Sequence, residues 1–571
     1  MRCPPHDGWG KARRVRRQSQ DPCGPLPSDS VTQPSRTSTP QEPGDAAAAR
    51  IAAGYATEGP ALELGAVLHG GTAHAGARVR VPLAMLNRHG LVAGATGTGK
   101  TKTLQLMAEQ LSAAGVPVVV ADIKGDLSGL AQPGAPGDRV TQRAAQTGDE
   151  WAPTAYPVEF LSLGGIGPGV PVRATMTGFG PVLLSKVLDL NPTQESSLGL
   201  IFHYADTAGL PLLDLKDLRS VVSWLISDEG KPELKNLGGL SPATAGVILR
   251  ELIGLEQLGG DVFFGEPEWE PADLIRTTDD GRGVISAVEL AAVQDRPALF
   301  STFLMWLLTE LFEELPEVGD VDEPKLVFFF DEAHLLFTGA SKAFLESVTQ
   351  TVRLIRSKGV GIFFVTQNPT DVPSAVLGQL GNRVQHALRT FTPDDAKALR
   401  KTVSTFPKTD DYDLEELLTS LGTGEAAVTV LSERGAPTPV AATLLRAPRS
   451  LMAPVEQAVL DAAVAASPLQ ARYGAPVDRD SAHERLAARL GPPPVRAPEP
   501  PAAEAELPNP WPEIPEPESA PRRRLRDQAL PEDSVVGTVL GSAAFRSFTR
   551  SAASALGREI TRGLFGTRRR R

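Results

Sequence analysis

Cysteine is almost missing from this chain. Its only two, Cys3 and Cys23, fall in a polar N-terminal stretch, so neither a disulfide framework nor a cysteine-based metal site can organise the remainder. Aromatic residues are scarce, at 5%. There is no run of ~18 or more apolar residues that could span a bilayer. Arg13, Arg14, Arg16 and Arg17 are not followed by the apolar stretch of a secretory signal. The expectation is a soluble, cytoplasmic protein. An excess of cations is also lacking: the net charge of −11 argues against a cation-coated surface for nucleic acid, though it leaves room for a local basic channel.

What is present is a long chain. Its 571 residues are about three to four domains' worth of sequence. With 41% hydrophobic and 22% charged residues the composition is that of a soluble globular protein, so large buried cores are expected.

The pattern changes several times along the chain. Residues 1–48 are rich in Pro, Ser, Thr, Gln and Arg without apolar periodicity and read as disordered. Residues 49–177 read as α/β: a short strand Gly90–Ala93, a glycine-rich loop, a helix over Lys102–Ala114 with Leu104, Met107, Ala108 and Leu111 on one face, and a strand Val116–Ala121. Residues 178–275 carry helical spacing, as in Val182, Leu183, Val187 and Leu190, with helix starts at Asn191-Pro192-Thr193 and Ser241-Pro242. They are expected to form an all-helical insertion. The α/β pattern resumes over 276–447, with strands at Gly283–Leu290, Leu326–Phe330, Gly361–Thr366 and near Arg383–Leu388, and helices at Ala298–Leu315 and Ser341–Arg356. An Ala-rich helical segment, 448–489, leads to a Pro-rich linker, 490–521, and a basic amphipathic helix, 522–571. The fold class expected is α/β, with a central, mostly parallel sheet.

The strongest chemical signal is Gly94-Ala95-Thr96-Gly97-Thr98-Gly99-Lys100-Thr101, a full match to G-x-x-x-x-G-K-[ST] with a strand before it and a helix after it. The glycines let backbone N–H groups converge on one point, where the helix N-terminus also favours phosphate. Lys100 supplies charge to the β- and γ-phosphates of ATP and Thr101 a hydroxyl to Mg²⁺, and Lys102 is counted with Gly94–Thr101 among the nucleotide-binding residues. The apolar run Leu326–Phe330 ends in Asp331 and Glu332, followed by Ala333 and His334. Carboxylates at the C-terminal end of a buried parallel strand suit Asp331 as a Mg²⁺ ligand and Glu332 as the group that activates water. Gln367, at the tip of the strand Gly361–Thr366, is placed to contact the γ-phosphate or its water. His334 reads equally as a link to a neighbouring subunit or as a structural histidine. Arg353, Arg356, Arg383 and Arg389 are candidates for an arginine finger, although for any one of them an ordinary surface ion pair is the commoner role. The segment Asp122-Ile123-Lys124-Gly125-Asp126 reads evenly as a group tuning the water or touching substrate and as a charged turn.

These motifs, in this order, resemble the HerA/FtsK branch of hexameric translocases, and especially the bacterial HerA-like helicase C-terminal family. The resemblance rests on G-A-T-G-T-G-K-T, A-D-I-K-G-D-L-S-G-L over Ala121–Leu130, F-F-F-D-E-A-H, F-F-V-T-Q and Gly381-Asn382-Arg383-Val384, and it covers about residues 55–450. It implies a RecA-like P-loop NTPase core and a homo-hexamer with nucleotide at subunit interfaces. It further implies a motor that pulls duplex DNA. HerA proper carries a β-barrel ahead of its ATPase, whereas only about 45 ordered residues are expected here before Gly94. The D-E-A-H string by itself would suit a superfamily-two RNA helicase, but the arginine-rich second-domain segment of that class is missing after Gln367.

The tail has a different character. Residues 521–571 hold twelve arginines against four acidic residues, a net +8. Phe548, Ala552, Leu556, Ile560 and Leu564 recur every four residues, with Arg546, Arg550, Arg558 and Arg562 at the same spacing opposite. DNA phosphate contact, docking on the ATPase and peripheral membrane contact compete as readings, and a merely solvated polar face is the plainest. For the whole chain, an ATP-driven DNA translocase or helicase competes with a nucleotide-dependent switch or scaffold ATPase that moves nothing.

Overall fold

The computed structural model describes residues 43–234, 238–338 and 342–490, all within the compact unit Met1–Pro494. The expected segment up to residue 42, the linker from 491 and the basic tail lie outside the described residues. No helix among the described residues is long and apolar enough to cross a membrane.

Twelve strands form one sheet: β1 (Ala61–His69), β2 (Thr72–Pro82), β3 (Gly90–Ala93), β4 (Val118–Asp122), β5 (Val158–Leu163), β6 (Val170–Val172), β7 (Ile285–Glu289), β8 (Leu326–Phe330), β9 (Val360–Thr366), β10 (Asn382–Gln385), β11 (Glu425–Thr429) and β12 (Ala441–Leu445). Their spatial order is β2-β1-β12-β11-β10-β3-β9-β8-β4-β7-β5-β6. From β10 to β6 every pairing is parallel. From β10 back to β2 every pairing is antiparallel. The register aligns Ala93 with Thr366, Phe364 with Phe330 and Phe330 with Ala121. The C-terminal ends of β3, β9, β8 and β4 are therefore level, and the segments that follow them emerge on one edge, where ligands collect in such sheets.

The central strands are apolar without interruption because both of their faces are covered. Every residue of β3, β4, β7, β8 and β9 is buried, and successive side chains enter opposite cores. Val327, Phe329, Phe363 and Val365 join Leu104, Met107, Ala108 and Leu111 of the helix Lys100–Ala113. Phe328, Phe330, Ile362 and Phe364 face the other way, toward the helices Met176–Val187, Pro192–Thr207, Leu215–Ile226 and Pro242–Leu255. Phe330 stacks on Phe328 and Phe364, with ring centroids 4.6 and 5.4 Å apart. Much of the stretch 178–275 lies in these helices. Its helix starts are capped as expected: Asn191 Oδ1 accepts from Thr193 N and Gln194 N, and Ser241 Oγ accepts from Thr244 N.

Order begins earlier than residue 49. A helix spans Pro43–Ala53, so the disordered reading of 1–48 runs too far for its last six positions. Ala48, Ile51 and Tyr55 are buried, and the Tyr55 hydroxyl donates to Val428 O at 2.7 Å. The segment 448–489 is also only partly helical. It holds helices Gln457–Ala466, Gln470–Tyr473 and Ala482–Leu490, preceded by extended chain that Glu109 and Gln105 tie to the helix Lys100–Ala113. Ser450 N donates to Glu109 Oε1 at 2.8 Å, and Gln105 Nε2 donates to Ser450 Oγ and Leu451 O. At its far end, His483 N donates to Asp217 Oδ1 on the helix Leu215–Ile226.

A buried histidine joins three neighbouring segments at the other end of the sheet. His89 precedes β3 with φ +59 and accepts from Ile362 N through Nδ1 at 3.0 Å. Its carbonyl oxygen receives Asn382 Nδ2. Burial lowers its pKa from 6.5 to about 4. A base whose folded pKa lies below its unfolded value makes the unfolded state bind the extra proton, so stability is lost as pH falls from about 6.5 toward 4. His89→Asn keeps an acceptor, tolerates the positive φ and cannot titrate. Between pH 7 and pH 5 the variant is expected to lose about 1–2 kcal/mol less stability than the wild type. Urea unfolding at the two pH values measures this, and parallel losses would contradict it.

Candidate functional site

The loop Gly94–Gly99 leaves β3 and lies against the end of β10. Ala95 N donates to Ala387 O at 2.8 Å, Gly94 N to Thr366 O at 3.2 Å, and Gly424 N, just before β11, to Thr98 O at 2.9 Å. Gly94 has φ +152, and a Cβ there would sit 2.5 Å from the Cβ of His386. Gly99, with φ +117, faces Gly424 N and the His386 ring. Both positions disfavour a side chain on conformation, and Gly94 excludes one on space as well. Gly99 precedes the helix Lys100–Ala113 and offers no side-chain cap, so the first N–H groups of that helix remain available to an anion. Lys100 Nζ folds onto the loop, donating to Gly94 O at 2.7 Å and Ala95 O at 3.2 Å. Its pKa is lowered by burial, with Glu332 and Asp331 opposing and Lys124 assisting. The Lys102 side chain turns aside to Gln105 Oε1 at 3.1 Å, which leaves its backbone as the part available to the loop's concavity.

Asp331 and Glu332 follow β8 at the same edge. Asp331 is buried, and its Oδ2 has no hydrogen-bond partner. Burial pushes its carboxyl up to about 7 against the pull of Lys124, with Glu332 adding to the rise. Glu332 takes φ +46, a left-handed conformation rare for a residue with a Cβ. Its Oε1 is ion-paired with Lys124 Nζ. The His334 Nδ1 lies 3.2 Å from Oε2, but neither atom makes a hydrogen bond. Burial opposes ionisation of Glu332. The bond to Lys124, with His334 and Lys100 nearby, outweighs it and holds the carboxyl below its ordinary range.

The segment Asp122–Asp126 forms a charged turn, one of the two readings open to it. The Asp122 carboxylate fixes a turn by accepting from Lys124 N, Gly125 N and Leu127 N at 2.7–3.1 Å, while Lys124 reaches Glu332. Gln367 emerges at the tip of β9, between the strands that carry Lys100 and Glu332. There it lines an open cleft of about 480 Å³ with His334, Thr338 and Asp371. The four arginines separate. Arg353 is exposed on the helix Lys342–Leu354. Arg356 precedes β9 and pairs with Asp320 beside Arg88, at the opposite end of the sheet. Arg383 donates to Thr405 O. Arg389 alone is exposed just beyond β10, at the end where the glycine loop lies.

Two residues at this edge gave no signal in sequence. His386 is fully buried beneath the loop, with Nε2 2.9 Å from Thr103 Oγ1, and burial lowers its pKa to about 4. Glu289, level with Asp122 in the register, is pushed up to about 8 by burial and by Asp122 and Asp126. An apolar strand ending in one Glu, and a lone His after another strand, become informative only when the strand order brings the His beneath the glycine loop and the Glu beside Asp122.

A parallel sheet with a glycine-rich phosphate loop after one strand and a carboxylate pair after another defines a P-loop NTPase. The family described as "Helicase HerA-like C-terminal" matches residues 69–571, and the chain belongs to it. No curated protein matches the chain. Among solved structures, it is similar to the bacterial conjugative coupling protein TrwBΔN70 at 15% identity and a TM-score of 0.46, over 72% of this chain and 95% of that one. It is also similar to VirB4 of Thermoanaerobacter pseudethanolicus at 14% identity and a TM-score of 0.42, over 68% and 98%. A third is the plasmid coupling protein TrwB in complex with ADP and Mg²⁺, at 16% identity and a TM-score of 0.44, over 69% and 99%.

The close seat of the loop has a measurable consequence. Gly94→Ala is expected to cost about 1–3 kcal/mol through overpacking against His386. Denaturant unfolding reads the cost, and an unchanged midpoint would mean that the loop does not rest there.

Proposed function

We propose that the chain hydrolyses ATP with Mg²⁺ and couples hydrolysis to movement on DNA as a ring, most simply a homo-hexamer. The observation that carries the hydrolytic part is the meeting of Lys100, Asp331 and Glu332 at one sheet edge, close enough for both carboxylates to act on the charge of Lys100. Residues Gly94–Lys102 hold the phosphates through backbone N–H groups and the Lys100 ammonium. The unpartnered, buried Asp331 Oδ2 and the Thr101 hydroxyl are donors that suit Mg²⁺, which supplies charge compensation on the phosphates. Glu332 orients and deprotonates the attacking water, and Gln367 contacts the γ-phosphate or that water. Arg389 is the arginine best placed to face a neighbouring subunit.

Membership of a helicase-named family supports the DNA part of this reading, and so does the +8 charge of residues 521–571. A switch or scaffold ATPase would share the site but not the response to DNA. Lys100→Ala is expected to abolish turnover, and Glu332→Gln to abolish it while nucleotide still binds. Duplex DNA is expected to stimulate the wild type strongly. Turnover lost in the mutants but indifferent to DNA would keep the ATPase and remove the translocase. Separately, deletion of residues 521–571 is expected to weaken DNA binding and flatten its salt dependence. Unchanged binding would remove the tail from DNA contact.

A further inference from the structure

Lys124 is bonded to the group that the proposed mechanism needs free. Its ammonium occupies Oε1 of Glu332, and the two ends of this pair differ in their surroundings. The Lys124 side chain is 44% exposed, whereas that of Glu332 is 7% exposed. An anion arriving from solvent therefore meets the lysine rather than the carboxylate. The backbone beneath Lys124 is fixed by three N–H bonds to the Asp122 carboxylate, and Gly125 completes the turn at φ +73. Only the flexible four-carbon stem is left to move. Glu332 has little freedom of its own. Its left-handed backbone is pinned by Ala333 N bonding to Val365 O at 2.8 Å, and His334 stands beside its second oxygen.

We propose that Lys124 reads the terminal phosphate of the bound nucleotide: it pairs with Glu332 at rest and passes to the γ-phosphate when a triphosphate is bound. The inference rests on the placing of ATP at Gly94–Thr101 and of Glu332 beside the attacking water. A water bridging Glu332 and the phosphorus puts the carboxylate within two hydrogen-bond lengths, about 6 Å, of the γ-phosphate oxygens. An ammonium already on that carboxylate crosses the gap by rotating its stem. The exchange releases Oε1 to accept from the water at the moment a hydrolysable phosphate is present. A diphosphate, with nothing at that position, leaves the pair closed. Lys124 thereby discriminates triphosphate from diphosphate.

The test uses the full-length chain with Mg²⁺, the imido analogue of ATP and ADP. Lys124→Met is expected to weaken the analogue about tenfold or more, as for the loss of a hydrogen bond between charged groups. ADP affinity is expected to stay within about twofold, which also shows that the variant is folded. Glu332→Gln frees the lysine in advance, so it is expected to tighten the analogue and not ADP, and this gain is expected to vanish in the double variant. Equal weakening of both nucleotides by Lys124→Met assigns the lysine to structure and overturns the proposal. So does an unchanged preference for the analogue. Lys100→Ala serves as the separate control: unchanged binding of both nucleotides there overturns the placing of the nucleotide itself, and the inference with it.

Discussion

The glycine loop can keep its shape only because it lies on another strand. Gly94 and Gly99 press against His386 and Gly424, and the loop's amides and carbonyls are shared with Thr366, Ala387 and Gly424. A loop with three positive-φ glycines, Gly94, Gly97 and Gly99, has much conformational entropy to lose, and ordering it unaided would cost on the order of 1–2 kcal/mol per residue. Contact with β10, which flanks β3, offsets part of that cost before any nucleotide arrives. The concavity is thereby preorganised.

The same edge concentrates charge under apolar cover. Asp122, Glu289, Asp331 and Glu332 are all buried, and Lys100, Lys102 and Lys124 stand close enough to balance them. Buried carboxylates reach tolerable energies by pairing, by backbone hydrogen bonds or by taking a proton. Three of the four differ in this respect: Glu332 is paired, Asp122 is capped by amides and Glu289 is shifted toward its protonated form. Asp331 has none of these in full, and that distinguishes it as the carboxylate suited to a cation.

What could be read in the sequence is what chemistry forces into a short stretch. The phosphate loop, the carboxylates after Leu326–Phe330 and the capped helix starts at Asn191 and Ser241 all carry their reasons within a few residues. The uninterrupted apolar strands also announced a sheet covered on both faces. The antiparallel half, β1, β2, β11 and β12, escaped: β1 and β2 pair with register shifts between Glu63 and Gly65 and between Ala66 and Val67, and β12 meets β1 from far away in the chain. His386 and Glu289 escaped for a different reason. Their surroundings come from strands far away in the chain, which periodicity cannot pair. Lys124 lay between these cases: its segment attracted notice, but its partner stood more than two hundred residues downstream.

That distance has a counterpart in time. β3 is flanked by β9 and β10, and Gly90 waits for Phe363, about 270 residues downstream, to fill its place in the ladder. At roughly 5–20 residues per second, the strand bearing the phosphate loop leaves the ribosome tens of seconds before either neighbour exists. The antiparallel strand β1 has β2 beside it at once but waits longer still for its other neighbour, at Leu445. A nascent chain stopped anywhere before β9 thus holds the whole glycine motif with neither neighbouring strand to seat it. The sheet closes around the loop-bearing strand only after about 270 further residues have been made.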